Sequence, residues 1–122
     1  MNNQSDYALL PEVFQDLPGI VAGFTTRHGG VSSEPFRSLN LGLSTGDDSA
    51  LVTENRRRML VGFGLDPSRM AIAGQVHGDR VKVVLEPGLY PGYDAIVTRE
   101  PSIVLCITAA DCAVILLADA EA

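Results

Sequence analysis

Apolar and polar positions change period several times along the chain, and each change marks an element. Ile20 to Thr26 is apolar and β-compatible, which predicts a strand. From Ala50 to Phe63, Val52, Asn55, Met59 and Phe63 recur at helical spacing, apolar apart from Asn55, and predict a helix with one core-facing stripe. Asp48 or Ser49 is placed to cap its start, and Gly64 with Pro67 shortly after to stop it. Past the helix the chain breaks into short apolar runs. Met70–Val76, Arg80–Leu85, Asp94–Thr98, Ile103–Ile107 and Ala113–Ala118 are expected as strands. His77-Gly78-Asp79 reads as a tight turn between the first two, and Pro87, Gly88, Pro91, Gly92 and Pro101 as breaks between the rest.

Between the first strand and the helix, Arg27 to Asp47 holds Gly29, Gly30, Pro35, Gly42 and Gly46 among several Ser and Asn residues. A long irregular segment inside a small domain is a frequent carrier of function. Residues 1–17 read as a lead-in, and 18–122 as part of one domain. Several strands with few helices place the chain in the α+β class.

Composition narrows the function. The 122 residues are 46% hydrophobic and 20% charged, enough for one small domain with a real core and unlike a disordered segment. The net charge of −6 argues against a nucleic-acid partner, which needs clustered Lys and Arg. The basic run Arg56-Arg57-Arg58 falls in the later half of the helix, where it complements the dipole as a solvated face. No apolar run nears the ~20 residues that span a bilayer. The N-terminus has no basic leader, so a cytoplasmic protein without membrane contact is expected. In a reducing compartment Cys106 and Cys112 are expected as free thiols.

Three places carry candidate chemistry. His77 stands where a strand ends in a glycine turn; a lone histidine there serves structure as readily as metal binding or catalysis. Cys112, in Thr108-Ala109-Ala110-Asp111-Cys112, follows an apolar strand and is crowded by small residues, whereas Cys106 sits inside the apolar run itself and reads as core. Imidazole and thiolate are both good zinc donors, but a catalytic zinc usually has three protein ligands. His28, the other histidine, reads as a surface turn residue. In the long loop, Gly29-Gly30 permits close backbone approach, Arg27 can pair with an oxyanion, and Asn40 offers amide donors and an acceptor. No Gly-Lys-Ser/Thr follows the glycines, so this is not a P-loop.

Taken in order, seven stretches resemble one family: Thr26-Arg27-His28-Gly29-Gly30-Val31-Ser32, Pro35-Phe36-Arg37-Ser38-Leu39-Asn40-Leu41-Gly42, Gly46-Asp47-Asp48, Asn55-Arg56, Gln75-Val76-His77-Gly78, Asp94-Ala95-Ile96-Val97-Thr98 and Ala110-Asp111-Cys112. They are similar to the YfiH family, also called the laccase-domain or multicopper polyphenol oxidase family, over residues 18 to 119. The resemblance implies a layered α/β sandwich grouped with the cytotoxic necrotising factor catalytic domain, of which this chain would be the N-terminal half. It implies a zinc held by His77, Cys112 and a second histidine in a downstream His-Ala-Gly-Trp-Arg-Gly stretch that this sequence does not contain. Arg27 and Asn40 become candidate substrate-pocket residues, and Asp111 a residue that orients a ligand or moves a proton.

The activity this resemblance implies is phosphorolysis of adenosine, inosine, guanosine and methylthioadenosine, with deamination of adenosine, so that purine nucleoside and phosphate are the expected partners. Copper-dependent oxidation of phenols is the alternative, with copper in place of zinc, although two histidines suit a single zinc site better than a copper cluster. A hydrolase with Cys112 as nucleophile and His77 as base, acting on peptidoglycan precursors, would use the same residues. A fragment with an unassembled site is the non-enzyme reading.

Overall fold

The structure is a computed structural model and describes residues 8–42 and 44–119. The chain forms two compact units. The first comprises the described residues through Gly64 and from Leu116 onward, and the second runs Leu65–Ile115.

In the first unit, β1 (Ala8–Leu9) pairs antiparallel with β2 (Phe24–Thr25), and a one-turn α1 (Glu12–Gln15) lies between them in the chain. Among the described residues the strand expected over Ile20–Thr26 is two residues long, paired with the two residues of β1. The main helix, α2 (Ser49–Gly62), lies within a residue of its expected bounds. Asp48, not Ser49, is its cap: the carboxylate accepts from the Ala50 N–H at 2.9 Å. Gly64 adopts φ +76°, the left-handed turn that ends a helix. Val52 and Leu60 are buried, and so is Asn55, with no exposed surface at all. On the solvent side Glu54 pairs with Arg57 and Arg58, and the two guanidinium groups hold its carboxyl at about 2.

The second unit is built on parallel strands. β3 (Met70–Ala73) lies between β5 (Gly88–Tyr90) and β7 (Val104–Cys106), parallel to both. β4 (Val81–Val83) and β6 (Ala95–Val97) form a second parallel pair. The core is Ala71, Ala73, Val84 and Ile96, with Tyr90, Ile103 and Ile107 packed against it. The alanines of β3 are small because the strand is flanked on both edges and buried.

The structure departs from two expectations, in Gly88–Tyr90 and in Ala113–Ala118, and it also separates β3 from β4. His77-Gly78-Asp79 lies between β3 and β4 in the chain, and the two strands belong to different sheets. Each finds a parallel partner further along the chain, and parallel pairing requires a crossover rather than a hairpin. The Pro- and Gly-rich stretch expected to be a break contains β5, whose Gly88–Tyr90 backbone completes the β3 ladder despite its poor strand composition. Ala113–Ala118 forms no strand, for no ladder partner meets it among the described residues; Ile115 is 78% and Leu117 90% exposed. No helix among the described residues is long and apolar enough to cross a membrane.

Candidate functional site

Parallel pairing decides where the candidate residues go. β5, β3 and β7 run side by side in the same direction, with Ile72 opposite Leu89 on one side and Cys106 on the other. The chain therefore leaves all three strands at the same edge of the sheet. The segment after β3 carries His77, the segment after β7 carries Asp111 and Cys112, and the segment after β5 carries Asp94. The carboxyl edge of a parallel sheet is where such folds gather their ligands, since loops from successive strands converge there on a rigid base.

The segment bearing His77 is fixed along its backbone. Five consecutive amides donate to the end of β5 and to the segment that follows it. Gly74 N–H reaches Tyr90 O and Gln75 N–H reaches Tyr93 O, both at 2.9 Å. Val76 and His77 N–H donate to Asp94 Oδ1 at 2.9 and 2.8 Å, and Gly78 N–H to Asp94 Oδ2 at 2.8 Å. These N–H donors, Gly78 first, hold the Asp94 carboxyl below the usual aspartate range, against an opposing desolvation. Gln75 and His77 stand at φ 65° and 59°, a region that side-chain-bearing residues seldom adopt and that recurs at functional sites. Gly74 is required by proximity, for a Cβ there would lie 2.8 Å from Pro91 Cα.

A second tie runs from this segment to the one bearing Cys112: the Gln75 amide donates to the Thr108 carbonyl. His77 and Cys112 are both exposed, and Cys112 is a free thiol. Asp111 is exposed beside it, and Cys106 is half-buried at the end of β7. One imidazole and one thiolate on two tethered segments suit a borderline metal such as zinc. Among the described residues no three His, Cys, Asp or Glu side chains form a metal-holding group.

The first unit organises the long loop around Asn55. Its Oδ1 accepts from Val31 N–H at 2.8 Å, and its Nδ2 donates to Ser32 Oγ and to Asn40 O, each at 2.9 Å. Arg56 Nε adds a bond to Leu41 O at 2.8 Å. Asn40 spends its own amide inside the loop, on Thr45 Oγ1, Asp47 Oδ2 and the Gly42 N–H. The Ser32 hydroxyl, 2.6 Å from Asp47 Oδ2, is the main reason the Asp47 carboxyl is held below its ordinary value. Arg27 is exposed, and its backbone carbonyl anchors the loop by accepting from the Ser38 and Leu39 amides. His28 is exposed, as expected of a turn residue.

Sequence reading placed His77, Cys112, Asp111, Arg27 and Asn40 as candidates but gave no role to Asp94, Gln75 or Asn55. The signal for Asn55 was present, as the one polar residue in an apolar helical stripe. Asp94 carried no comparable signal, since its partners are backbone amides brought to it by strand order.

The parallel strands of this α+β chain carry the segments bearing His77, Asp94 and Cys112 away from one end of the sheet. Comparison with known proteins gives the family. Residues 21–122 match the model of the multi-copper polyphenol oxidoreductase laccase family, and the chain belongs to that family. It is 45% identical over 100 residues to a purine nucleoside phosphorylase of Mycobacterium tuberculosis, covering 80% of this chain and 40% of that protein. It is similar to the purine nucleoside phosphorylase of Deinococcus radiodurans, at 46% identity over 99 residues, covering 81% of this chain and 38% of the relative. The crystal structure of YlmD from Geobacillus stearothermophilus superposes with a TM-score of 0.75 at 39% identity, over 79% of this chain and 39% of that one. That of the Bacillus licheniformis protein YfiH does so with a TM-score of 0.80 at 31% identity, over 87% and 42%. The chain thus spans about two fifths of the length of the relatives it matches.

Proposed function

We propose that this chain supplies part of a zinc-dependent purine nucleoside phosphorylase site, with adenosine deaminase activity at the same centre. The observation that carries the reading is the delivery of His77 and Cys112 to one sheet edge on segments tied together by Gln75. The names of the relatives supply the substrate class: purine nucleoside and phosphate.

His77 and Cys112 are the two donors this chain offers to zinc, and a third donor comes from outside the described residues. Bound zinc supplies Lewis acidity and lowers the pKa of a water towards about 7. The chain's own residues bind and orient. On the first unit, taken by itself, Arg27 is exposed, and its planar guanidinium suits an oxyanion such as phosphate. Asn40 and Asp47 keep the loop that bears Arg27 in shape. Asp111, beside Cys112, is placed to orient a ligand or to move a proton. In phosphorolysis the bond between the sugar's anomeric carbon and the purine nitrogen breaks. A phosphate oxygen bonds to that carbon, and the purine leaves with a proton.

Zinc titration of the chain and its variants tests the assignment. Zinc binds weakly, because two donors are fewer than a catalytic site uses. His77→Ala and Cys112→Ala each remove that binding, whereas Cys106→Ala leaves it intact. Equal loss in both cysteine variants, or tight stoichiometric zinc that survives loss of Cys112, overturns the reading.

A further inference from the structure

We infer that Asp94 is a positioning residue for the metal site: its carboxylate shapes the backbone that presents His77, and its loss weakens metal binding while the sheet stays folded. The inference rests on His77 being a metal donor, as proposed above.

The geometry sets this role apart from the usual one for a carboxylate near a metal-binding histidine. There the carboxylate accepts from the imidazole itself and fixes its tautomer. Here both Asp94 oxygens take backbone N–H groups, from Val76, His77 and Gly78. What Asp94 fixes is the direction in which the His77 Cα–Cβ bond leaves the chain. Three successive amides turned towards one anion form a concave nest that binds it.

Without that anion the local backbone has reason to relax. Gln75 and His77 lie at positive φ, which costs side-chain-bearing residues free energy, and Val76 and Gly78 are exposed. The carboxylate offsets the strain by satisfying three donors together. Asp94 is itself anchored, through its own N–H to the Arg80 carbonyl at 3.2 Å, and it leads directly into β6. Arg80 in turn lies over the Tyr93 ring, 4.6 Å from its centroid. The clamp is therefore seated on the sheet and not on a free loop.

The test compares zinc affinity, by competition with a coloured chelator, in the chain and in its Asp94→Ala, Asp94→Asn, His77→Ala and Glu54→Gln variants. Amide exchange at Val76, His77 and Gly78 is followed alongside, with the β3 amides as the fold control. Asp94→Ala is expected to weaken zinc binding about 10- to 100-fold, the range seen when groups supporting a metal ligand are removed. Exchange at the three amides quickens and the β3 amides stay protected. Asp94→Asn, which keeps one acceptor oxygen, recovers part of the affinity, and Glu54→Gln changes nothing. If His77→Ala binds zinc as the parent does, the metal reading itself is wrong. If His77→Ala loses zinc but Asp94→Ala keeps full affinity with β3 protected, the positioning role alone is overturned. Should Asp94→Ala lose β3 protection, the same comparison is decided on Asp94→Asn.

Discussion

Asn55 gives the sharpest test of how the first unit is held together. Its side chain is fully buried and makes three hydrogen bonds to Val31, Ser32 and Asn40, all in the long loop. Asn55→Ala strips partners from the Val31 N–H, the Ser32 hydroxyl and the Asn40 carbonyl at once. A buried polar group left unmatched costs about 1–3 kcal/mol, and less where water can enter. Ser32 is only 4% exposed but its hydroxyl keeps its bond to Asp47 Oδ2, whereas Val31 and Asn40 are half-buried and partly rehydrate. The expected total is about 2–4 kcal/mol, large for one substitution. Urea denaturation measures it, and amide exchange at Val31 locates it. Asn55→Leu separates the causes, since it fills the space of the amide without its hydrogen bonds. If the loss comes from hydrogen bonding, Leu remains nearly as damaging as Ala. A Leu variant within about 1 kcal/mol of the parent, or an Ala variant in which Val31 stays protected, would refute the hub role.

Other substitutions follow from the same contacts. Gly30→Ala would place a Cβ 2.2 Å from Ser38 O and 2.5 Å from Asn55 Oδ1; a loss of about 1–3 kcal/mol is expected, read as a fall in Tm. The Asp47 carboxyl is held below its unfolded value, chiefly by Ser32. Its contribution is therefore complete above the ordinary aspartate pKa and is lost as pH falls through the depressed folded value. Asp47→Asn should flatten part of the acid limb of a stability–pH curve below about pH 4 and leave the rest to Glu54, Asp66 and Asp94, which are depressed in the same sense; an unchanged acid limb contradicts this. Chelation against alkylation separates two mechanisms for any phosphorolytic or hydrolytic activity. A zinc-dependent activity falls with chelator and returns with added zinc, whereas a Cys112 nucleophile is silenced by alkylation and indifferent to chelator.

The sequence by itself determined the local elements and the chemical inventory. The spacing of Val52, Met59 and Phe63 with the Asp48 cap and Gly64 was enough for α2, because a helix is made by neighbours in the chain. The ordered stretches around Arg27, Asn40, His77 and Cys112 were enough for the family. What only the tertiary structure decided was pairing. Nothing in Gly88-Leu89-Tyr90 announces a strand until β3 lies beside it, and nothing in Ala113–Ala118 shows that its ladder partner is missing among the described residues. The support of the site was hidden for the same reason. Asp94 acts on His77, and Gln75 on Thr108, across separations that only parallel crossovers close. Asn55 binds a loop that precedes its own helix. Helical periodicity is written between adjacent residues, but a carboxylate that satisfies distant backbone amides can be found only once the chain has brought them together.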